Sequence, residues 1–248
     1  MTLSTNTLGQ TRTEDGKLTT KADILIYSYS GAGKTYWAST APRPIYVIAP
    51  DIVGHKSIPF ETPGRVVKKT SEIGEDLLEF RKGGHGFKTL LVDGLTFIHD
   101  MFLAETGKYF YDEMGAKDPD LLPIAGRTKI LKNFAAMLRA FVDLTQLENK
   151  KDQVHVVFTT LEERAGENAD VPFAVRPHYG TQTMNNTFTA IFSTVAYIKP
   201  VGGVLTDGTP NMDRKALFTE LHGIQARDKL GVFPRSAEPA PNLSDYLD

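Results

Sequence analysis

Apolar residues along this chain fall into two kinds of pattern. Short unbroken runs, such as Ile24-Leu25-Ile26-Tyr27 and Ile45-Tyr46-Val47-Ile48-Ala49, carry no polar alternation. Runs of this kind predict strands buried on both faces. They are expected over 23–27, 45–49, 89–93 and 154–159, with a weaker one over 66–69. Between them, apolar residues recur three and four apart, the spacing of a helix with one buried face. Helices are accordingly expected over 35–40, 73–81, 96–114 and 128–148. The last carries Ile130, Leu131, Phe134, Met137, Leu138, Phe141, Val142 and Leu144 along one stripe. Pro42 and Pro44 stop the first helix, and Gly83-Gly84 ends the second.

Strands alternating with helices predict an α/β fold, a mostly parallel sheet flanked by helices on both faces. Residues 194–199, 204–205 and 215–220 read as late strands joined by Gly202-Gly203 and Asp207-Gly208 turns, an antiparallel extension at one edge. Residues 161–186 are polar, contain glycine and lack periodicity, as expected of a long loop. No internal repeat or linker interrupts the pattern. One domain over 22–235 is expected, between a flexible N-terminal arm (1–21) and a mobile acidic tail (236–248).

Composition narrows this further. A chain of 248 residues, 41% hydrophobic and 23% charged, can bury one substantial core and reads as a soluble globular protein. No apolar run is long enough to span a membrane, and the polar N-terminus does not resemble a leader peptide. The absence of cysteine excludes disulfides, Cys-ligated zinc and iron–sulfur clusters, and fits a reducing cytoplasm. A net charge of −2 advertises no global affinity for nucleic acid, so any such surface must be local. His55, His85, His99, His155, His178 and His222 show no metal-ligand spacing and read as ordinary residues.

The first predicted strand runs into Ser28-Tyr29-Ser30-Gly31-Ala32-Gly33-Lys34-Thr35, and that stretch opens the first predicted helix. This is the build of a phosphate-binding loop, with serine at the first position where glycine is usual. Gly31 and Gly33 let the backbone curl so that several N–H groups face a polyphosphate. The helix contributes the positive end of its dipole. Lys34 is placed to reach the β- and γ-phosphates, and the Thr35 hydroxyl to bind Mg²⁺. Ser30, Gly31, Ala32, Gly33, Lys34, Thr35 and Tyr36 are therefore the expected nucleotide contacts. The alternative is an ordinary glycine-rich strand–helix turn. The lone tryptophan, Trp37, is expected to be packed.

A hydrated Mg²⁺ needs a carboxylate at the end of a neighbouring buried strand, and Asp93, after Leu90-Leu91-Val92, fits. Its bland alternative is a cap on the following helix. Hydrolysis also needs a group to position water. Asp51, just past the second strand, is the first candidate, with Glu162 and Glu163 as alternatives. Thr160 suits a γ-phosphate sensor at a strand tip.

These features together resemble the RecA-like ATPases, and most of all the small phage RecA-like recombination proteins grouped with phage single-strand annealing proteins. The resemblance is carried by the phosphate loop in 24–35 and by Leu91-Val92-Asp93-Gly94-Leu95-Thr96, similar to a D-S-L-T-like segment. It is carried also by the strand over 154–160 with its polar loop, and by Gln225-Ala226-Arg227-Asp228-Lys229-Leu230-Gly231-Val232-Phe233-Pro234. That last stretch is similar to a basic A-K-D-R-x-G-x-x-P sequence. The resemblance covers about 22–235 and implies a RecA-like P-loop NTPase core that uses ATP and Mg²⁺. It implies single-stranded DNA as partner, a homo-oligomer (ring or filament), a single-strand-binding protein as a further partner, and a bacterial host cytoplasm. It makes Arg227 and Lys229 basic fingers toward the γ-phosphate of a neighbouring subunit, with their order swapped relative to the family. It puts Asp51 where the family has glutamate.

DNA in such proteins lies along loops that follow core elements. In 161–186 the matching residues are Arg164, Arg176, His178 and Tyr179, suited to backbone pairing and base stacking. In 115–132 they are Lys117, Arg127, Lys129 and Lys132. Either loop would serve equally as a lid or substrate loop. Two other functions stay open: a nucleotide-binding annealing or accessory module with little turnover, and a P-loop ATPase acting on a protein partner as loader or packaging motor. Gly94, where those motors carry glutamate, counts against the last. No guanine-specific N-K-x-D motif is present, and no arginine-rich lid follows the loop as in a small-molecule kinase.

Overall fold

The computed structural model describes residues 13, 17–50, 56–112, 124–165, 173–178, 187–202, 213–221 and 223–248. The core strands are β1 (Asp23–Ser28), β2 (Ile45–Ala49), β3 (Gly64–Val66), β4 (Thr89–Asp93) and β5 (His155–Arg164). They are followed by β6 (Val175–Pro177), β7 (Thr194–Pro200), β8 (Arg214–Leu217), β9 (Arg227–Asp228) and β10 (Ser236–Ala237). The helices are α1 (Lys34–Ala38), α2 (Thr70–Lys82), α3 (Leu95–Asp112) and α4 (Ile124–Val142). Among the described residues the strands form one sheet in the order β10-β8-β7-β1-β5-β4-β2-β3, with β6 on β5 and β9 on β7. From β7 to β3 every pairing is parallel, and β8, β9 and β10 add antiparallel strands at the β7 edge.

The unbroken apolar run of β1 has a direct cause. Leu25 and Tyr27 pack into a core with Leu95, Ile98, Phe134, Leu138 and Phe141, the face covered by α2, α3 and α4. Ile24 and Ile26 point the other way, into a second core with Trp37, Phe218, Phe233, Leu243 and Leu247. Successive side chains alternate across a strand, so the middle of a strand covered on both faces is apolar at every position, with the polar Asp23 and Ser28 at its ends.

The second face explains a correction. Residues 236–248, expected as a mobile tail, fold back across the sheet. Among the described residues their only helical company there is the five-residue α1, too short to cover the apolar surface alone. Leu243 and Leu247 fill the gap and are buried, Leu18 bridges to Leu247, and Tyr246 packs on Phe233. The tail is also fastened to α1: Trp37 Nε1 donates to the Pro241 carbonyl at 2.7 Å, and Leu243 N to Thr40 Oγ1 at 2.9 Å. Part of the expected flexible arm, from Lys17 to Lys21, belongs to the same packing through the buried Leu18. His155, read as ordinary, anchors it. Its Nδ1 accepts from Ala22 N at 3.0 Å, and burial pushes the ring down to about 3.

Other boundaries differ for local reasons. The helix expected to reach residue 148 ends at Val142 and continues as a 3₁₀ turn, Asp143–Gln146, where Thr145 Oγ1 donates to the Val142 carbonyl. Strand β5 continues past its apolar run to Arg164, because residues 162–164 pair through their backbones with β6 in a polar hairpin. The strand expected over 66–69 lies instead at Gly64–Val66. The expected strand at 204–205 lies outside the described residues.

Candidate nucleotide site

Register places the site. Asp93 pairs with Thr159, Tyr27 with Thr160 and Ser28 with Leu161, so the carboxyl ends of β4, β5 and β1 finish side by side. The loop after β1 turns at Gly31 (φ +80°) and Gly33 (φ +89°), a left-handed conformation that favours glycine. Helix α1 begins at once, with no side-chain cap. Its first-turn N–H groups have no intrahelical acceptor, as in any helix start, and remain available to an anion. A cleft of about 550 Å³ opens here, lined by Ser30, Gly33, Lys34, Thr35, Asp93 and Thr160 among others.

Lys34 folds back on its own loop, donating to the Tyr29 carbonyl at 2.7 Å and the Ser28 carbonyl at 3.2 Å. Burial pushes its ammonium down to about 8, although Asp93 and Glu162 act to raise it. The Thr35 hydroxyl lies 2.9 Å from each Asp93 oxygen. Thr159 also donates to Asp93, and its own oxygen accepts from Gly94 N at 2.9 Å. Asp93 is thus held by two hydroxyls at the cleft floor and is not spent as a helix cap. Hard oxygen donors in this pairing suit a magnesium ion that keeps several of its waters. Gly31, Gly33 and Tyr36 also line the cleft, while Ala32 is buried beneath it and presents its carbonyl.

Thr160 lines the cleft too. Its hydroxyl lies 2.9 Å from Thr96 Oγ1 and 3.2 Å from the His178 carbonyl, so the cleft wall is tied to the end of β6. Neither alternative water-positioning carboxylate is loose. Glu162 accepts from Arg164 Nε at 2.7 Å and from the Tyr197 hydroxyl at 3.0 Å, and burial with that carboxylate pushes Tyr197 up to about 12. Glu163 accepts from Arg176 Nε at 3.2 Å, with His178 Nδ1 at 3.9 Å. Asp51 lies outside the described residues. Arg176 and His178 gather around Glu163 on one face of the β5–β6 hairpin, while Arg164 pairs with Glu162 on the other, so the structure does not bring the three together; Tyr179 lies outside the described residues. Lys129 and Lys132 belong to α4, with Lys129 over the Tyr109 ring, whereas Lys117 and the Arg127 side chain are outside the described parts.

The expected finger residues are elsewhere. Strand β9 pairs with the first residues of β7, at the end of the sheet opposite the phosphate loop. There Arg227 donates to the Thr189 and Phe192 carbonyls, and Lys229 to the Ala190 carbonyl at 3.4 Å. Asp228 accepts from the amides of Leu230, Val232 and Phe233 and shapes the turn of the basic stretch. Neither cation serves the phosphate loop of its own chain.

Three residues of the site escaped the sequence reading. Thr159 and Tyr197 have signals only in hindsight, a hydroxyl in mid-strand next to an apolar neighbour in each case. Arg214 has none, because β8 reaches the loop only through the sheet. Its Nε donates to the Ala32 carbonyl at 3.1 Å, and its guanidinium lies 4.9 Å from the Tyr36 ring centroid.

No helix among the described residues is long and apolar enough to cross a membrane. No curated protein matches the chain. The sequence from residue 20 to 218 matches the AAA domain family, a span that holds the phosphate loop, Asp93 and the whole cleft. The chain belongs to that family of P-loop ATPases.

Proposed function

We propose that this protein is an ATP-hydrolysing, single-stranded-DNA-binding protein of phage recombination or annealing, acting as a homo-oligomer. The observation that carries the nucleotide half is the Thr35–Asp93 contact at the mouth of the phosphate loop, with Lys34 beside it. Lys34 would exchange its loop carbonyls for β- and γ-phosphate oxygens, and the open amides of α1 would hold the remaining charge. A magnesium ion bound at Thr35 and Asp93 would neutralise the phosphates. Burial of the cleft strengthens each of these contacts relative to water.

The DNA half is supported by the resemblance and by one connection. Thr160 in the cleft shares hydrogen bonds with Thr96 and the His178 carbonyl, so a phosphate in the cleft and a strand on the β5–β6 hairpin would act on one network. A second reading has an observation of its own. Arg164 and Arg176 are paired with Glu162 and Glu163, so nucleic acid must first break those pairs, and both carboxylates are held away from water activation. That favours a nucleotide-binding accessory module with little turnover, or action on a protein partner.

Anisotropy of a labelled single-stranded oligonucleotide, with and without Mg-ATP, separates them when phosphate release is followed in the same tubes. ATP-dependent binding with DNA-stimulated release is expected. DNA binding without release would favour the accessory module, and no DNA binding would favour a protein partner.

A further inference from the structure

Arg214 stands at the start of β8, two strands from β1 on the side away from Asp93, since the order runs β8-β7-β1-β5-β4. The phosphate end of the cleft is fixed by Lys34, Thr35 and Asp93. A ligand whose metal-binding phosphates point toward β4 must extend its other end toward β8. Two strand spacings, about 10 Å, separate the β8 backbone from β1, and the Arg214 side chain spans that gap back to the Ala32–Gly33 backbone.

At that end the cleft is walled by two side chains. Tyr36 is 43% exposed, a large exposure for an aromatic residue beside a loop. The Arg214 guanidinium lies over its ring at 4.9 Å and is positioned by the Ala32 carbonyl at 3.1 Å. The packing is close: a Cβ added at Gly33 would fall 2.1 Å from Arg214 Nε. Both side chains line the same cleft as Lys34 and Thr35. A planar guanidinium and an aromatic ring are the surfaces on which a flat heterocycle stacks.

We infer that Arg214 and Tyr36 form the base-binding end of the nucleotide cleft, with the purine base stacked against the guanidinium–tyrosine pair. This rests on the nucleotide-binding reading above. It assigns Arg214 to recognition of the nucleoside, in cis, and leaves the phosphates to the loop.

The test compares two ligands that share a phosphate chain, Mg-ATP and Mg-tripolyphosphate, by titration calorimetry on the full chain. Replacing Arg214 with alanine should weaken ATP about tenfold or more while tripolyphosphate changes by no more than about twofold. Tyr36→Ala should show the same split, and Tyr36→Phe should restore ATP affinity. Arg214→Lys, which keeps charge but loses the plane, should stay weak for ATP. Equal loss for both ligands in Arg214→Ala, or a lowered unfolding temperature with unchanged ATP affinity, would overturn the inference and make Arg214 a brace for the loop. Wild-type protein that binds tripolyphosphate and ATP equally well would overturn it while sparing the phosphate site. Wild-type protein that binds neither would overturn the nucleotide reading itself.

Discussion

Replacing Lys34 with methionine should leave the stability of the nucleotide-free protein nearly unchanged at neutral pH while abolishing nucleotide binding. The ammonium is pushed from 10.5 down to about 8 by burial. A shift of that size corresponds to about 3 kcal/mol of penalty for holding the charge in the folded state. Methionine keeps the apolar stem and removes the charge. It also removes two charge-assisted bonds, to the Ser28 and Tyr29 carbonyls, which offsets about 1.5 kcal/mol each. The two effects nearly cancel, so the unfolding temperature of the variant at pH 7 should lie within about 2–4 °C of the wild type, the shift that about 1 kcal/mol gives in a domain of this size. The pH dependence gives the sharper signature. Between about pH 8 and 10.5 the unfolded chain binds a proton at Lys34 that the folded chain has lost, so wild-type stability rises with pH across that window. The variant lacks this gain, so the wild type should become the more stable of the two as pH rises through that window. Thermal unfolding of both proteins, followed by circular dichroism from pH 7 to 10, measures the difference directly. A variant several degrees less stable at pH 7, or a difference that stays flat with pH, would refute the reasoning.

Gly33→Ala should destabilise the protein by about 1–2 kcal/mol from the left-handed backbone alone, and more as the new Cβ displaces Arg214; an unchanged melting temperature would contradict that geometry. Leu243→Ala, which empties a fully buried position under the tail, should lower stability by about 2–5 kcal/mol in denaturant titration, whereas a mobile tail would tolerate it. Asp93→Ala should leave metal-free nucleotide binding largely intact but remove its enhancement by Mg²⁺, read by calorimetry in each condition. If Arg227 acts across a subunit boundary, mixing Arg227→Ala with Lys34→Ala chains should hydrolyse ATP faster than the sum of the two alone, and a merely additive rate would place Arg227 among the structural caps.

What the sequence disclosed and what it hid have separate physical causes. The phosphate loop and Asp93 were legible because their chemistry needs particular residue types at fixed spacing after apolar strands. The strands themselves were legible because burial on both faces forbids polar positions. The packed tail was not, since its two leucines lie among proline and acidic residues and show no period. Only the bareness of the α1 face of the sheet calls them in. The hairpin of β5 and β6 was hidden for the complementary reason: polar residues paired through their backbones leave no hydrophobic trace. The carbonyls that hold Arg227 and Lys229 within the chain, at residues 189–192, were hidden because they come from a distant segment that no spacing rule connects to them. Arg214 reached the site through sheet order, which local pattern does not encode.

The most direct test of the whole account is equilibrium binding of Mg-ATP to the wild-type chain and to Lys34→Met, with released phosphate measured in the same samples. Saturable binding and turnover in the wild type, with both lost in a variant that is folded and about equally stable at pH 7, is the predicted result. Binding that survives unchanged in Lys34→Met, or no binding in the wild type, would contradict a nucleotide site between Lys34 and Asp93.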